Sequence, residues 1–307
     1  MSVADTSIEM SSARRQRVLS HLAMLLFAAL IAGSFTFGAL TVPYIHAVPL
    51  NALRFVLAAL LMGVFAFGMA RQKFAFPPAP WRFAINGFLT AVYFVTMFIA
   101  LTMTQPVATS AVYTLVPLMT AVTAYFIVGQ RSGSAVLVSL LLAGLGAIWV
   151  IFRGDVDALM RFDIGQGEVI YFVGCVAYAV YTPLLRRFNR GESALVLSFW
   201  TMVATAVWIV LYGLPEILAT DWLHLPALVW WVVLYLAIGP TAVCFFLIQY
   251  ASARLPAAKV IAYGYLVPAF VIVLEGLAGH GWASLSVAAG AMITVLGLVV
   301  LALLRDR

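Results

Sequence analysis

Long apolar runs separated by short polar breaks fill this chain from Leu19 to its end. A helix that crosses a bilayer needs roughly 20 mostly apolar residues. Ten runs meet that length, at about 19–41, 48–69, 82–101, 107–128, 134–152, 165–185, 194–213, 227–249, 257–278 and 284–304. Links such as Thr102–Pro106 and Gly129–Gly133 are so short that successive helices must be antiparallel neighbours. Residues 1–17 are polar and read as a disordered tail. The longer links, Gln72–Trp81, Arg153–Ile164, Arg186–Ser193 and Pro215–Pro226, leave no room for a soluble catalytic domain. The pattern predicts an all-α polytopic membrane protein.

Two runs share a centre. Ser110–Tyr125 and Ile261–Glu275 each hold Leu-Val-Pro with tyrosine or threonine just before it, and Pro117 and Pro268 lie half a chain apart. Proline removes one helical hydrogen bond and crowds the carbonyl four residues back. In lipid that carbonyl needs a partner in protein or in water lining a cavity. Interruptions at matching places in two halves are a pointer to a transport site.

Composition agrees: 65% of the 307 residues are hydrophobic and 9% charged, with a mean hydropathy of +1.09. The net charge of +6 is spread singly and in short clusters, which fits membrane orientation and not a nucleic-acid surface. Of the 17 basic residues, Arg153 and Arg161 fall in links on one side and Arg54 within the second run; the rest fall on the other side or in the tail. The positive-inside rule then places both termini in the cytoplasm. Cys175 and Cys244 sit inside spans, so neither a disulfide framework nor a metal cluster is expected. Arg14, Arg15 and Arg17 precede a run too long for a signal peptide, which predicts an uncleaved first helix.

Aligning Pro117 with Pro268 puts Ala100 opposite Ala251, Leu115–Val116 opposite Leu266–Val267, and Gly146 opposite Gly297. Each half has five spans, an odd number, so similar halves in tandem enter the membrane in opposite senses. The expected organisation is a tail (1–17), a first five-helix repeat (18–152), an external linker (153–164) and a second repeat (165–307).

These features resemble the drug/metabolite transporter superfamily, in particular its EamA-type ten-helix exporters. The resemblance rests on the two five-span halves, on PLNALRFVLAALL at 49–61, on the Leu-Val-Pro centres, and on LLLAGLGA at 140–147 and AAGAMITVLG at 288–297. It is most similar to bacterial inner-membrane exporters of aromatic and other amino acids. It implies alternating access, with helices 1, 3, 4, 6, 8 and 9 around a cavity and helices 5 and 10 behind. Many members carry Gly-Glu after the fourth and ninth helices; here those places read Gly129-Gln130 and His280-Gly281, so no role of that glutamate carries over.

Within this frame Tyr93, Tyr113, Tyr178, Tyr181, Tyr235, Tyr263 and Tyr265 all fall inside spans. Interfacial belts explain Trp81, Trp222, Trp230, Trp231 and Trp282 but not these tyrosines. A phenol in hydrocarbon needs a hydrogen-bond partner: either a wet cavity or, for any one tyrosine, a neighbouring helix carbonyl. Thr36, Thr96, Thr109, Thr114, Thr241 and Gln249 are further candidates, against bonds within their own helices. Glu275 is a coupling or substrate-amine candidate, balanced by the reading that it is solvated at the end of its span. Lys259 reads more simply as a snorkelling lysine than as a carboxylate receptor, and Arg54 as an interfacial anchor near the outer end of helix 2. Gly239-Pro240 reads as a static kink rather than a hinge.

The expected protein is therefore a secondary transporter exporting amino acids or similar small metabolites, acting as a monomer, with the lipid bilayer as its surroundings and no nucleic-acid partner, cofactor or metal. An intramembrane enzyme lacks HExxH, GxSxG and GxxxxGK[ST] signatures here. Asp155-Val156-Asp157 reads as a solvated acidic loop before a divalent-ion site. A nucleotide-sugar or lipid carrier would want clustered midplane cations.

Overall fold

The apolar runs form helices, and the polar links turn each back against its predecessor. The computed structural model describes residues 3–131, 133–161, 163–252, 254–255 and 257–303. The bundle consists of α1 (Val3–Ala39), α2 (Ala47–Met69), α3 (Trp81–Ala100), α4 (Pro106–Val128) and α5 (Ser134–Ile151), followed by α6 (Gln166–Phe188), α7 (Ala194–Ala219), α8 (Ala227–Ser252), α9 (Val260–Leu277) and α10 (Leu285–Leu303). Eight of these are long and apolar enough to span a bilayer, and α5 and α10 carry shorter apolar stretches. Phe126, Leu145, Leu211 and Leu296 are among many large apolar side chains left exposed around the bundle. Water would penalise such a surface, and lipid covers it.

Three expectations are corrected. Between Val3 and Arg17 the chain is helical, not a disordered tail; its Ala, Glu, Met and Arg residues favour helix. α7 continues past Pro215 to Ala219, and the clash is absorbed at Gly213, which leaves helical geometry (φ −114°, ψ 20°). The link after α5 holds a short helix, Val156–Met160, whose N-cap Asp155 accepts bonds from the N–H groups of Asp157 (2.8 Å) and Ala158 (3.3 Å). Asp155 is therefore occupied as a cap.

The inversion is visible in the packing. Gly213 of α7 meets Val48 at the start of α2, while Phe199 near the start of α7 meets Gly63 near the end of α2. Likewise Gly146 of α5 faces Gly290 of α10, and Gly297 faces Ser139 and Ala143. Equivalent helices of the two halves thus run antiparallel, as an inverted pair requires. The other interfaces come in matched couples: α3 with α6 and α8 with α1, α4 with α6 and α9 with α1, α3 with α7 and α8 with α2. α5 and α10 approach closely: a Cβ at Gly146 would lie 2.7 Å from the Gly290 carbonyl oxygen, so only small residues fit there.

One end of the bundle, where α3 and α7 begin and α6 finishes, is tied by Arg82. Its guanidinium is buried and donates to the carbonyls of Pro78 (2.7 Å) and Phe188 and to Glu192 Oε1 (2.7 Å). Partial burial alone pushes the Glu192 carboxyl up, but bonds from Arg82 and the Arg190 N–H outweigh it and hold its pKa below the usual 4.5. A depressed carboxyl contributes stability that is complete above its unfolded pKa and fades as pH falls through the folded value. The expected result is that Glu192→Gln lowers the Tm in detergent at neutral pH, and that the gap to the native protein closes below pH 4.5.

Candidate functional site

Three helices are interrupted where the two halves meet. The first part of α4 stops at Tyr113, and the helix restarts at Val116 with Pro117 in its first turn. Through the break the N–H groups of Thr114 and Leu115 reach back only three residues, to Ala111 and Val112, and the Thr114 hydroxyl also donates to the Ala111 carbonyl (2.6 Å). α9 has the same design: a 3₁₀ turn at Tyr263–Leu266, then a helix from Val267 with Pro268 in its first turn. In α8, Pro240 removes the N–H that the Leu236 carbonyl would receive, the helix widens to a π turn over Ala237–Val243, and the Thr241 hydroxyl donates to that carbonyl (2.7 Å). Gly239 lets this turn lie close to α1, since a Cβ there would sit 3.2 Å from Leu30.

Arg54 is not an interfacial anchor. Two helical turns into α2, it is fully buried and donates Nε–H to Thr241 Oγ1 (2.6 Å), while Nη1 lies 3.5 Å from Ser34 Oγ. Its guanidinium lies over Phe94, 4.4 Å from the ring centroid, with Phe55 and Phe98 farther out. Nη2 has no partner. One turn earlier, Asn51 donates to the carbonyls of Ala47 (2.8 Å) and Phe94 (3.4 Å), and its Oδ1 is likewise buried and unpartnered.

Beside Arg54 the tyrosines form a closed layer rather than a wet wall. Tyr93 and Tyr178 stack 4.5 Å apart, Tyr181 continues the layer at 5.4 Å, and Tyr113 packs on both Tyr93 and Tyr178. Tyr171 donates its hydroxyl to Tyr93 (2.9 Å) and meets Phe35 edge-on. All five are buried. Tyr171, Tyr178 and Tyr181 recur at helical spacing on one face of α6, the signal that would have added Tyr171.

The other three tyrosines are satisfied locally. Tyr235 donates to the Leu30 carbonyl (3.0 Å), and Tyr263 bonds His21 Nδ1 (2.7 Å). Tyr265 faces backwards into Leu140, Ala143 and Leu298 of α5 and α10, so it is packing rather than cavity. Thr96 and Thr109 bond within their own helices, whereas Thr36 Oγ1 is buried without a partner.

Cavities open at either end of this layer. One, of about 360 Å³, is lined by Thr120 and Ala124 of α4, Thr182 of α6, Gln249 of α8 and Ile261 of α9, with Arg186 and Gln130 at its mouth. Gln130 accepts from Arg186 (3.1 Å). The other, of about 740 Å³, is lined by Thr104, Pro106, Arg153, Glu275, His280 and Trp282. Glu275 is buried at its wall; Oε2 lies 2.9 Å from His280 Nδ1 and Oε1 has no partner. A second buried acid, Glu168 at the start of α6, accepts from Thr104 (2.6 Å) and keeps Oε2 unpartnered. The side chain of Lys259 lies outside the described residues.

Antiparallel five-helix halves, broken helices at their seam and cavities on either side define a membrane transporter of the inverted-repeat class. The EamA-like transporter family matches over residues 18–152 and again over 165–303, and the chain belongs to that family. It is 24% identical to an uncharacterized transporter, YyaM, of Bacillus subtilis (strain 168), over 91% of this chain and 92% of that one. A protein of known crystal structure shares the fold with a TM-score of 0.70 at 23% identity, over 95% of this chain and 99% of its own.

Thr241 carries two duties at once, so Thr241→Val leaves a buried guanidinium N–H unpaired and withdraws a donor from the Leu236 carbonyl. Losses of that kind cost about 1–3 kcal/mol each. Thermal unfolding in detergent is expected to show a larger drop for Thr241→Val than for Thr96→Val, and partial recovery when Pro240→Ala restores the N–H.

Proposed function

We propose that the protein is a secondary transporter that exports amino acids, neutral and aromatic ones first, by alternating access. One observation carries this reading: α4 and α9 each run from one cavity to the other, and each is broken at the tyrosine layer between them. α4 contributes Pro106 to the larger cavity and Thr120 to the smaller; α9 contributes Glu275 and Ile261 respectively. A helix with a break at mid-length can tilt one half against its neighbours while the other half stays packed, which closes one cavity as the other deepens. The rings of Tyr93, Tyr113 and Tyr178 supply a flat, hydroxyl-bearing surface for varied side chains.

The end with the smaller cavity holds Arg186, Arg187 and Arg190, and the other end holds Asp155, Asp157 and Asp163. This asymmetry supports a cytoplasmic smaller cavity, in the inner membrane of a bacterium. Glu275, buried at the wall of the opposite cavity and touching His280, is suited to take up and release a proton during the cycle.

Protein reconstituted in liposomes is expected to exchange labelled phenylalanine or leucine in counterflow, with competition from other neutral amino acids. Failure to move any amino acid would sink the substrate assignment. Glu275→Gln is expected to retain exchange but lose the acceleration given by an imposed pH gradient; an unaltered response would remove Glu275 from coupling.

A further inference from the structure

Arg54 is the group that the fold leaves unexplained. A guanidinium fully buried at the seam of the halves is held by two hydroxyls and an aromatic face, and no carboxylate pairs with it among the described residues. Glu275 is occupied by His280 and Glu192 by Arg82. Burying a charge without a counter-charge is costly, and a structural role would be served as well by an apolar side chain of similar volume.

We infer that Arg54 is the docking cation for the carboxylate of the transported molecule, and that this carboxylate serves as its counter-ion. The inference rests on the amino-acid reading above and deepens it. The donor Nη2 stands unused, and on the same face of α2, one turn away, the acceptor Asn51 Oδ1 stands unused as well. A donor lacking an acceptor beside an acceptor lacking a donor is what a zwitterion completes: carboxylate on Arg54, ammonium on Asn51. Phe94 touches both residues, its ring under the guanidinium and its carbonyl receiving Asn51 Nδ2. The Tyr93 ring packs 4.8 Å from Phe94, so a side chain entering with the carboxylate would meet the tyrosine layer. A lone guanidinium among aromatic rings fits a monoanion; a phosphoryl group asks for more cations.

Access follows from the same contacts. Arg54 Nε is fastened to Thr241 in the π turn of α8. A shift of α8 against α2 would carry the atom that holds the guanidinium in place. Binding and opening are thereby linked through one hydrogen bond.

The test uses the full-length protein in detergent and measures ligand-induced thermal stabilisation by phenylalanine, phenylalaninamide, 3-phenylpropionate and inorganic phosphate. The native protein is expected to bind phenylalanine about 10- to 100-fold more tightly than the amide, the range for a charge-assisted bond. Arg54→Gln is expected to bring the two ligands within a few-fold of each other, mainly through weaker phenylalanine binding. Equal binding of acid and amide by the native protein overturns the inference even if Arg54→Gln does not fold, and so does an acid preference that survives in Arg54→Gln. If amino acids are transported in either case, the functional reading stands without it. If no amino acid binds but 3-phenylpropionate does, and Arg54→Gln abolishes that binding, Arg54 keeps its role and the amino-acid reading falls. Tighter binding of phosphate than of any carboxylate, or no carboxylate binding at all, also overturns it.

Discussion

A backbone carbonyl released inside a bilayer has nowhere to turn except to protein, and this constraint organises the centre of the molecule. Hydrocarbon offers no donor, so a proline in a spanning helix survives only where a neighbour repairs the ladder. In α8 the repair is the Thr241 hydroxyl on Leu236; in α4 the ladder tightens ahead of Pro117, where the N–H groups of Thr114 and Leu115 reach back only three residues. Thr241 then serves as acceptor for Arg54, which joins the break in α8 to α2 and, through Ser34, approaches α1. The break and the buried cation thus meet at one hydroxyl, and loss of Thr241 leaves both with an unmet bond.

Inversion determines where those breaks meet. A second half threaded in the contrary sense puts α4 beside α6 and α9 beside α1. The two proline breaks are then carried to a common depth on opposite sides of the seam. Small residues at Gly146, Gly290 and Gly297 let α5 and α10 close behind them. The rear of the bundle is thus packed backbone to backbone, while the front is held by aromatic rings and isolated hydroxyls. The looser set of contacts is the one that faces the cavities.

Spans, inversion and the paired prolines were legible in the sequence because each depends on features one-dimensional enough to read: run length, an odd count, a repeated Leu-Val-Pro. Which way a side chain points inside a run was not. Tyr263 and Tyr265 are two positions apart, hence about half a turn round the helix, and they cannot share a cavity. One meets His21 and the other the α5–α10 pair. Arg54 misled for a related reason. Its place near the outer end of α2 suggested an interfacial anchor, yet Thr241, whose hydroxyl holds it, lies 187 positions away in sequence. Glu168 and Tyr171 escaped notice because α6 opens on a polar turn, although the spacing of Tyr171, Tyr178 and Tyr181 marks them as one face.

The closed tyrosine layer also bears on why the protein should move at all. Packed shut, it keeps Thr36 Oγ1, Asn51 Oδ1 and Arg54 Nη2 buried and without partners. Each such atom costs about 1–3 kcal/mol relative to a hydrated one, and more where charge is involved. Admitting water from either cavity removes that cost but exposes the rings of Tyr93, Tyr113 and Tyr178, whose burial opposes the change. The two terms have opposite sign. A ligand that satisfies the orphaned atoms without wetting the rings favours the closed arrangement specifically, and differential affinity of that kind is the only means by which a cargo can bias a conformational equilibrium.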